Sequence, residues 1–356
     1  MSLLATKFPP LDIPEMPTMA LAYPQLRFMG SKSRLLPWIH EIVAPLEFNS
    51  VLDAFSGSGC VSYLFKSMGK EVVSNDFLKF THQLATGCIE NPGLTVSPDE
   101  VATLLKKRAS RKRFIAETFT GIFFTPADLD FLDVVWSNMS KLDSPYKKAL
   151  VISALVRGCA KKQPRGVFTV SGDLSNYDDG RRDLRLSLHE HFLESLQVFN
   201  GIVFDNGKNN RAFNGNALDV EATVDLVYMD PPYVPRADDN CYIKRYHFLE
   251  GLATYWEGLE LMQTSKVKKL PKRHTPFSYR KSAVEAFDSM FRKFADSTLV
   301  LSYSSNGWPD LDVLVKLMKK YKPTVEVFEK DYRYHFGTHA GVNRAEVQEY
   351  LILGLS

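Results

Sequence analysis

The chain has 356 residues, 45% of them hydrophobic and 12% aromatic, enough apolar material for one large core and a smaller accompanying unit. A net charge of +3 excludes recognition of a polyanion by bulk charge alone, so any such surface has to come from local clusters. Cys60, Cys88, Cys159 and Cys241 stand too far apart for a zinc or redox spacing, and no run suits a signal peptide or a membrane span. A cytoplasmic protein without metal is expected.

In chain order, Pro9, Pro10, Pro14 and Pro17 make residues 1–22 an arm of little regular structure. Leu35, Leu36, Ile39, Ile42 and Val43 then recur at helical spacing across 33–45. A short apolar strand over 50–55 runs into Gly57-Ser-Gly59, a helix over 60–68 and a second strand over 71–74. That βαβ unit opens a doubly wound α/β sheet. From about 85 to 204 the pattern is mainly helical, with a Gly/Asn/Asp-rich patch over 166–180 suited to loops or a hairpin. Strand-like runs resume at 201–204, 225–229, 298–302, 324–328 and 346–353. The expected architecture is a doubly wound, mixed α/β sheet of Rossmann-like type. Its sheet domain comprises 23–84 and 205–356, and 85–204 form an inserted, mainly helical unit.

Two turns in this pattern carry chemistry. Asp53-Ala-Phe-Ser-Gly-Ser-Gly59 puts glycines where a strand meets a helix, so backbone can approach a ligand and the helix start favours a negative group. A carboxylate fits there as well as a phosphate, and on its own the pattern also describes a tight turn with no ligand. The next strand ends in Asn75-Asp76, an acid placed either to hold a ribose hydroxyl pair or to cap a helix.

Asp230-Pro-Pro-Tyr233 follows directly on the apolar run 225–229. Pro231 and Pro232 fix their own φ and remove two amide donors, leaving rigidly aimed carbonyl oxygens. An aromatic amine is a poor nucleophile because its lone pair is delocalised into the ring. Two acceptors gripping its two hydrogens favour a pyramidal nitrogen, and Asp230 with the Pro231 carbonyl are natural acceptors. The face of Tyr233 suits stacking on a base. An ordinary Asp-Pro-Pro turn is the plain alternative.

At these residues the chain resembles the alpha class of adenine-N6 DNA methyltransferases, the family of the bacterial DNA adenine methylase. Arg27-Phe-Met-Gly-Ser-Lys32 is similar to the family's aromatic-x-Gly-Gly-Lys segment. The glycine loop, Asp76, a long intervening region and Asp230-Pro-Pro-Tyr233 follow in the family's order. Ser302-Tyr303 and Glu349-Tyr350 also fit, so the resemblance spans about 27–353.

The resemblance implies an S-adenosylmethionine-dependent methyltransferase fold with target recognition in the inserted unit. It implies methylation of the exocyclic amino group of adenine in double-stranded DNA, after the base is flipped out of the stack. It also points to a restriction-modification system with a cognate restriction endonuclease as a possible partner. It gives Phe28, Lys32, Asp76 and Asp230 to the cofactor: Phe28 packs near it, Lys32 neutralises or orients its carboxylate, and Asp76 holds the ribose. Asp53 and the loop of Phe55, Ser56, Gly57 and Gly59 shape the methionine side, with Gly30 and Phe77 among the cofactor contacts. Ser31 stands where the family often has glycine, which a negative φ tolerates. Asn216 stands where the family often has aspartate, and an asparagine can still hydrogen-bond the cofactor's adenine.

For DNA contact, Gly166-Val-Phe-Thr-Val170 is similar to the family's Gly-x-Phe-Asn-Val hairpin and is flanked by Lys161, Lys162, Gln163 and Arg165. Such side chains on a protruding hairpin suit major-groove readout, with a structural loop as the alternative. The basic run from Lys106 to Arg113 meets phosphates or is a solvated helix face. A second basic stretch, 266–281, offers Lys272 and Arg273 as a duplex clamp, or is an exposed linker. His247 and His274 lack any partnered metal spacing. The competing functions are cytosine-N4 or ribosomal-RNA base methylation, a non-catalytic DNA-binding subunit on the same fold, and a nicotinamide oxidoreductase. The last is disfavoured because the glycine loop lacks dinucleotide spacing.

Overall fold

Apolar residues that alternate along the central strands fall on opposite faces of one sheet. Val51, Val72, Leu226 and Val300 join the core on one side, while Leu52, Val73, Val227 and Leu299 join the core on the other. This is the period-two pattern of strands buried on both faces. The computed structural model describes residues 15–164, 166–169, 180–234, 241–333 and 346–356.

The sheet has seven strands: β1 (Ser50–Asp53), β2 (Glu71–Asp76), β3 (Arg211–Asn214), β4 (Leu226–Met229), β5 (Thr298–Ser304), β6 (Thr324–Arg333) and β7 (Glu346–Leu355). Their order is β3-β2-β1-β4-β5-β7-β6. The first five are parallel, and β7 runs antiparallel between β5 and β6. Chain order reverses at β1, which lies between β2 and β4, with Val51 opposite both Val72 and Leu226. A crevice therefore opens beyond the carboxyl ends of β1 and β4. The mixed, doubly wound α/β sheet expected from the sequence is what the chain forms.

The helices in chain order are α1 (Thr18–Ala22), α2 (Leu36–Val43), α3 (Cys60–Ser67), α4 (Lys79–Ala85), α5 (Pro98–Leu104), α6 (Phe114–Thr118), α7 (Pro126–Asn138), α8 (Pro145–Lys162), α9 (Arg182–Arg185), α10 (Leu188–Asn200), α11 (Tyr242–Leu252), α12 (Arg280–Lys293) and α13 (Leu311–Met318). Helices α4 to α10 all lie between β2 and β3. Several begin on plain sequence signals: Ser97 and Glu100 form a capping box ahead of Pro98, and Ser187 and Glu190 form another. This helical stretch shares the core on one sheet face, since Leu129, Leu150 and Phe192 belong to the same cluster as Val51. Buried Lys66 of α3 ties the two together, donating to the carbonyls of Cys88, Ile89 and Asn91 at 3.2, 2.8 and 3.0 Å. Burial pulls its pKa down to about 8.

Two expectations change. Residues 201–204 form no strand: α10 runs to Asn200, and Ile202 is a buried anchor whose carbonyl accepts from Tyr63 Oη at 2.6 Å. The edge strand is β3 instead, whose Arg-Ala-Phe-Asn sequence lacks an apolar pattern because it is only half covered. The arm is also more ordered near its end, where α1 buries Ala20 and the Tyr23 hydroxyl donates to the Ser58 carbonyl at 2.8 Å. Residues 1–14 lie outside the described part. Among the described residues no helix is long and apolar enough to cross a membrane, and no cluster of three or more His, Cys, Asp or Glu could hold a metal ion.

Gly59 caps α3 with φ of +81°, and a Cβ there would stand 2.6 Å from Tyr23 Oη. Gly59→Ala is expected to cost about 2 kcal/mol of stability through the left-handed backbone and the displaced tyrosine. Urea unfolding measures it, and an unchanged midpoint would show that the loop relaxes.

Candidate active site

The crevice at the reversal of the sheet holds a cleft of about 990 Å³ including its mouth. Its walls bring together the Phe28-to-Lys32 segment, the loop after β1, the end of β2, Asn216 and Asp230-Pro-Pro-Tyr233. The glycine turn and the Asp-Pro-Pro-Tyr element thus open on one space, which direct transfer between two ligands requires.

In the half near β1 and β2, Asp76 braces the loop. Its Oδ2 accepts from the Gly57 amide and its Oδ1 from the Leu78 amide, both at 2.8 Å. Asp53 Oδ2 accepts from Ser62 Oγ at 2.6 Å. Burial pushes the Asp53 pKa up to about 7, and the nearby carboxylates Asp230 and Asp76 add to the rise. Asp53 Oδ1, Ser56 Oγ and Asn75 Oδ1 are buried beside the cleft with no hydrogen-bond partner among the described residues. Buried polar atoms left open in this way call for a ligand's donors and acceptors.

Phe28 and Tyr242 of α11 give the cleft an aromatic wall, backed by Tyr246. Phe28 stacks on Tyr246 with centroids 5.1 Å apart, and Tyr246 Oη accepts from the Met29 amide at 2.7 Å. Gly57 has φ of +49°, and a Cβ there would stand 2.9 Å from Phe28 Cε1. The room that this glycine makes is thus taken up by a side chain of the protein itself. Ser31 has φ of −53°, the negative value that its substitution for glycine needs, and its Oγ lies 3.0 Å from Ser58 Oγ. Phe55, Ser56 and Gly30 line the cleft, and Asn216 accepts from the Leu218 amide at 3.4 Å.

The other half centres on Lys32. Its Nζ lies 2.8 Å from Asp230 Oδ1, 2.8 Å from Tyr233 Oη, 3.3 Å from the Gly30 carbonyl and 3.9 Å from Glu349 Oε2. The ammonium expected to serve a ligand carboxylate therefore pairs with Asp230. Burial alone would depress the Lys32 pKa, yet Asp230 and Glu349 hold it above the usual lysine value. Burial raises Asp230, against the pull of Lys32 and the Tyr233 hydrogen bond. We take Lys32 to be charged, since two acids face one ammonium. The Tyr233 ring meets Tyr303 edge-on at 5.0 Å, and its hydroxyl donates to Asp230 Oδ1 at 3.1 Å. Glu349 and Tyr246 do not line the cleft but contact Lys32 and the Met29 amide, which do, and sequence reasoning gave neither of them a part there. The signal for Glu349 was an acid inside a mostly apolar strand.

The proposed DNA-facing residues divide. Lys161 pairs with Asp183 at 3.4 Å and Lys162 with Asp128 at 3.2 Å, while Gln163 is buried and donates to the Phe123 carbonyl at 3.1 Å. These three close the end of α8 onto its neighbours. Arg165 and residues 170–179 lie outside the described residues, while Phe168 of the expected hairpin is buried and its amide donates to the Arg245 carbonyl at 2.8 Å. In the run 106–113, Lys107 and Arg111 pair with Asp130 at 2.7 and 2.8 Å and Arg113 with Glu117 at 3.2 Å, as an internally neutralised face would. Arg273 lies over the Phe77 ring at 4.4 Å and borders the cleft, and Lys272 is exposed.

The profile of the family described as D12 class N6 adenine-specific DNA methyltransferase matches residues 28–303. Type II methyltransferase M2.HphI of Haemophilus parahaemolyticus is 27% identical over 88% of this chain and 92% of its own. Type II methyltransferase M.NlaIII of Neisseria lactamica is 21% identical over 86% of this chain and 92% of its own. Modification methylase StsI of Streptococcus sanguinis is 24% identical over 92% of this chain, which spans 51% of StsI.

Proposed function

The chain belongs to the D12 class of N6 adenine-specific DNA methyltransferases, and we propose that it methylates flipped-out adenine in double-stranded DNA, with S-adenosylmethionine as donor, as the modification enzyme of a restriction-modification system. The observation that carries this reading is the shared cleft: the glycine turn after β1 and the Asp230-Pro-Pro-Tyr233 loop after β4 line one space. The similarity to type II methyltransferases and modification methylases supports the biological setting, including a cognate endonuclease and action in the cytoplasm.

The fit of the cleft to the donor rests on its open polar atoms. Asp53 Oδ1 is an unpartnered acceptor for an ammonium, and Ser56 Oγ is a partner for a carboxylate. Asp76 is the acid for the ribose hydroxyls, and Phe28, Phe77 and Asn216 are the surround for the adenine. S-adenosylmethionine supplies a methyl group on a positively charged sulfonium, which makes that carbon electrophilic. Asp230 and the Pro231 carbonyl accept the two hydrogens of the target amino group, leaving its lone pair free. Positive charge builds on that nitrogen during transfer, so acceptors there stabilise the transition state more than the ground state. The Tyr233 ring supports the base.

In this reading 23–84 and 205–356 form the catalytic domain, 85–204 carry target recognition, and Lys272 meets a phosphate. Incubating unmethylated double-stranded DNA and RNA with labelled donor tests the acceptor. N6-methyladenine in DNA is the expected product, and N4-methylcytosine or labelled RNA would overturn the assignment. Calorimetry of S-adenosylmethionine alone is expected to show binding, and absence of heat would favour a non-catalytic DNA-binding subunit.

A further inference from the structure

Helix α11 is broken at Tyr246, whose φ of −114° and ψ of 17° lie outside the helical range. Two distant segments are bound at the break. The first is Gly166-Val-Phe-Thr169, the described start of the expected hairpin. Phe168 is held there by both its backbone groups: its amide donates to the Arg245 carbonyl, and its carbonyl lies 2.7 Å from His247 Nε2. A carbonyl only accepts, so Nε2 carries the hydrogen, and burial lowers the His247 pKa to about 4, which keeps the ring neutral near pH 7. The Phe168 ring stacks on Phe248 with centroids 5.2 Å apart.

The second segment is the Phe28-to-Lys32 wall of the cleft, which α11 grips at Met29. Tyr246 Oη accepts from the Met29 amide at 2.7 Å, the Tyr242 hydroxyl donates to its carbonyl at 3.4 Å, and Arg245 Nη1 donates to its sulfur at 3.0 Å. The preceding residue, Arg27, donates to the carbonyls of Lys161 and Gln163 at the end of α8, at 2.8 and 2.9 Å. Residues 245–247 therefore support a piece of the inserted unit and a wall of the donor cleft together. Whatever steadies one segment lowers the ordering cost of the other, and such linkage is reciprocal.

We propose that the break in α11 couples DNA binding to donor binding, with His247 as the positioning residue that seats Phe168. DNA held by the inserted unit raises the affinity for donor, and donor raises the affinity for DNA by the same factor. This rests on the reading of the inserted unit as the part that recognises DNA.

The test measures binding of sinefungin, a donor analogue with no transferable methyl group, by calorimetry with and without a duplex that the enzyme methylates. In the unaltered enzyme the duplex is expected to tighten sinefungin binding about tenfold. His247→Leu removes the hydrogen that the Phe168 carbonyl accepts. It should cut that factor to about threefold or less, with affinity in the absence of DNA held within about twofold. His247→Gln, whose amide donates in place of Nε2, should restore most of the factor. Tyr246→Phe keeps the ring and removes the hydroxyl that holds the Met29 amide, so the factor should fall there too. No coupling in the unaltered enzyme, the full factor in either His247→Leu or Tyr246→Phe, or no recovery in His247→Gln overturns the proposal. So does loss of sinefungin binding without DNA in both His247 variants, which makes His247 a structural residue. Hydrogen exchange with the duplex bound separates the two claims: protection within 85–204 but no coupling removes only this proposal, whereas protection confined to the rest of the chain sinks the reading beneath it.

Discussion

Asp230→Ala is expected to reduce methyl transfer by about a thousandfold or more while leaving a folded protein that still binds its donor. The carboxylate sits in the cleft with Oδ1 engaged by Lys32 at 2.8 Å and Tyr233 at 3.1 Å. Removing it takes away an acceptor whose worth grows as charge develops on the amino nitrogen, so the loss falls on the rate more than on binding. Donor affinity should fall less, because Asp53, Ser56 and Asp76 line the other half of the cleft. Stability should change little as well, since Glu349 stays 3.9 Å from the Lys32 ammonium and keeps it from being an uncompensated buried charge. Asp230→Asn keeps the shape and one acceptor oxygen but loses the charge, and is expected to fall between. Single-turnover rates beside donor calorimetry measure the split. Turnover retained in Asp230→Ala would remove this residue from the chemistry.

What the sequence made legible follows from how each feature is encoded. The stretch from β1 through the glycine loop to α3 and β2 was readable because apolar runs buried on both faces are bounded by glycines, which are local signals. Asp53, Asp76 and Asp230 were readable for the same reason, since each ends a strand that announces itself. Edge strand β3 was not, because a half-exposed strand needs no apolar pattern and Arg211 to Asn214 has none.

The basic residues show a different limit. A run of lysines says nothing about the acids that will face it, and Asp183 and Asp128 reach Lys161 and Lys162 from other elements. Lys32 shows the same limit at the site itself. Its contact with Tyr233 joins residues 201 apart in sequence, and Glu349 arrives from the last strand. Family pattern placed the lysine in the right cleft, and only the fold supplied its partners.

Lys32→Met turns those partners into a measurable prediction. Methionine fills much of the same space without charge, leaving Asp230 and Glu349 in a buried cleft with the Tyr233 hydroxyl between them. Asp230 then loses the ammonium that offsets its burial, so its folded-state pKa rises further above the ordinary carboxylate value of about 4. Asp230 is already raised by burial with Lys32 present. An acid raised on folding lowers stability once pH passes its unfolded value, and the deficit grows until pH reaches the folded value. The variant should therefore lose about 3 kcal/mol or more near neutral pH and regain part of it on acidification toward about pH 5. Its transfer rate should fall about a hundredfold or more, with the acid limb moved to higher pH. Urea unfolding at the two pH values and a single-turnover pH profile read these effects. If Lys32 chiefly served the donor's carboxylate, the same substitution would weaken donor binding and leave the acid limb where it was, and that result would remove the Lys32–Asp230 pairing from the chemistry.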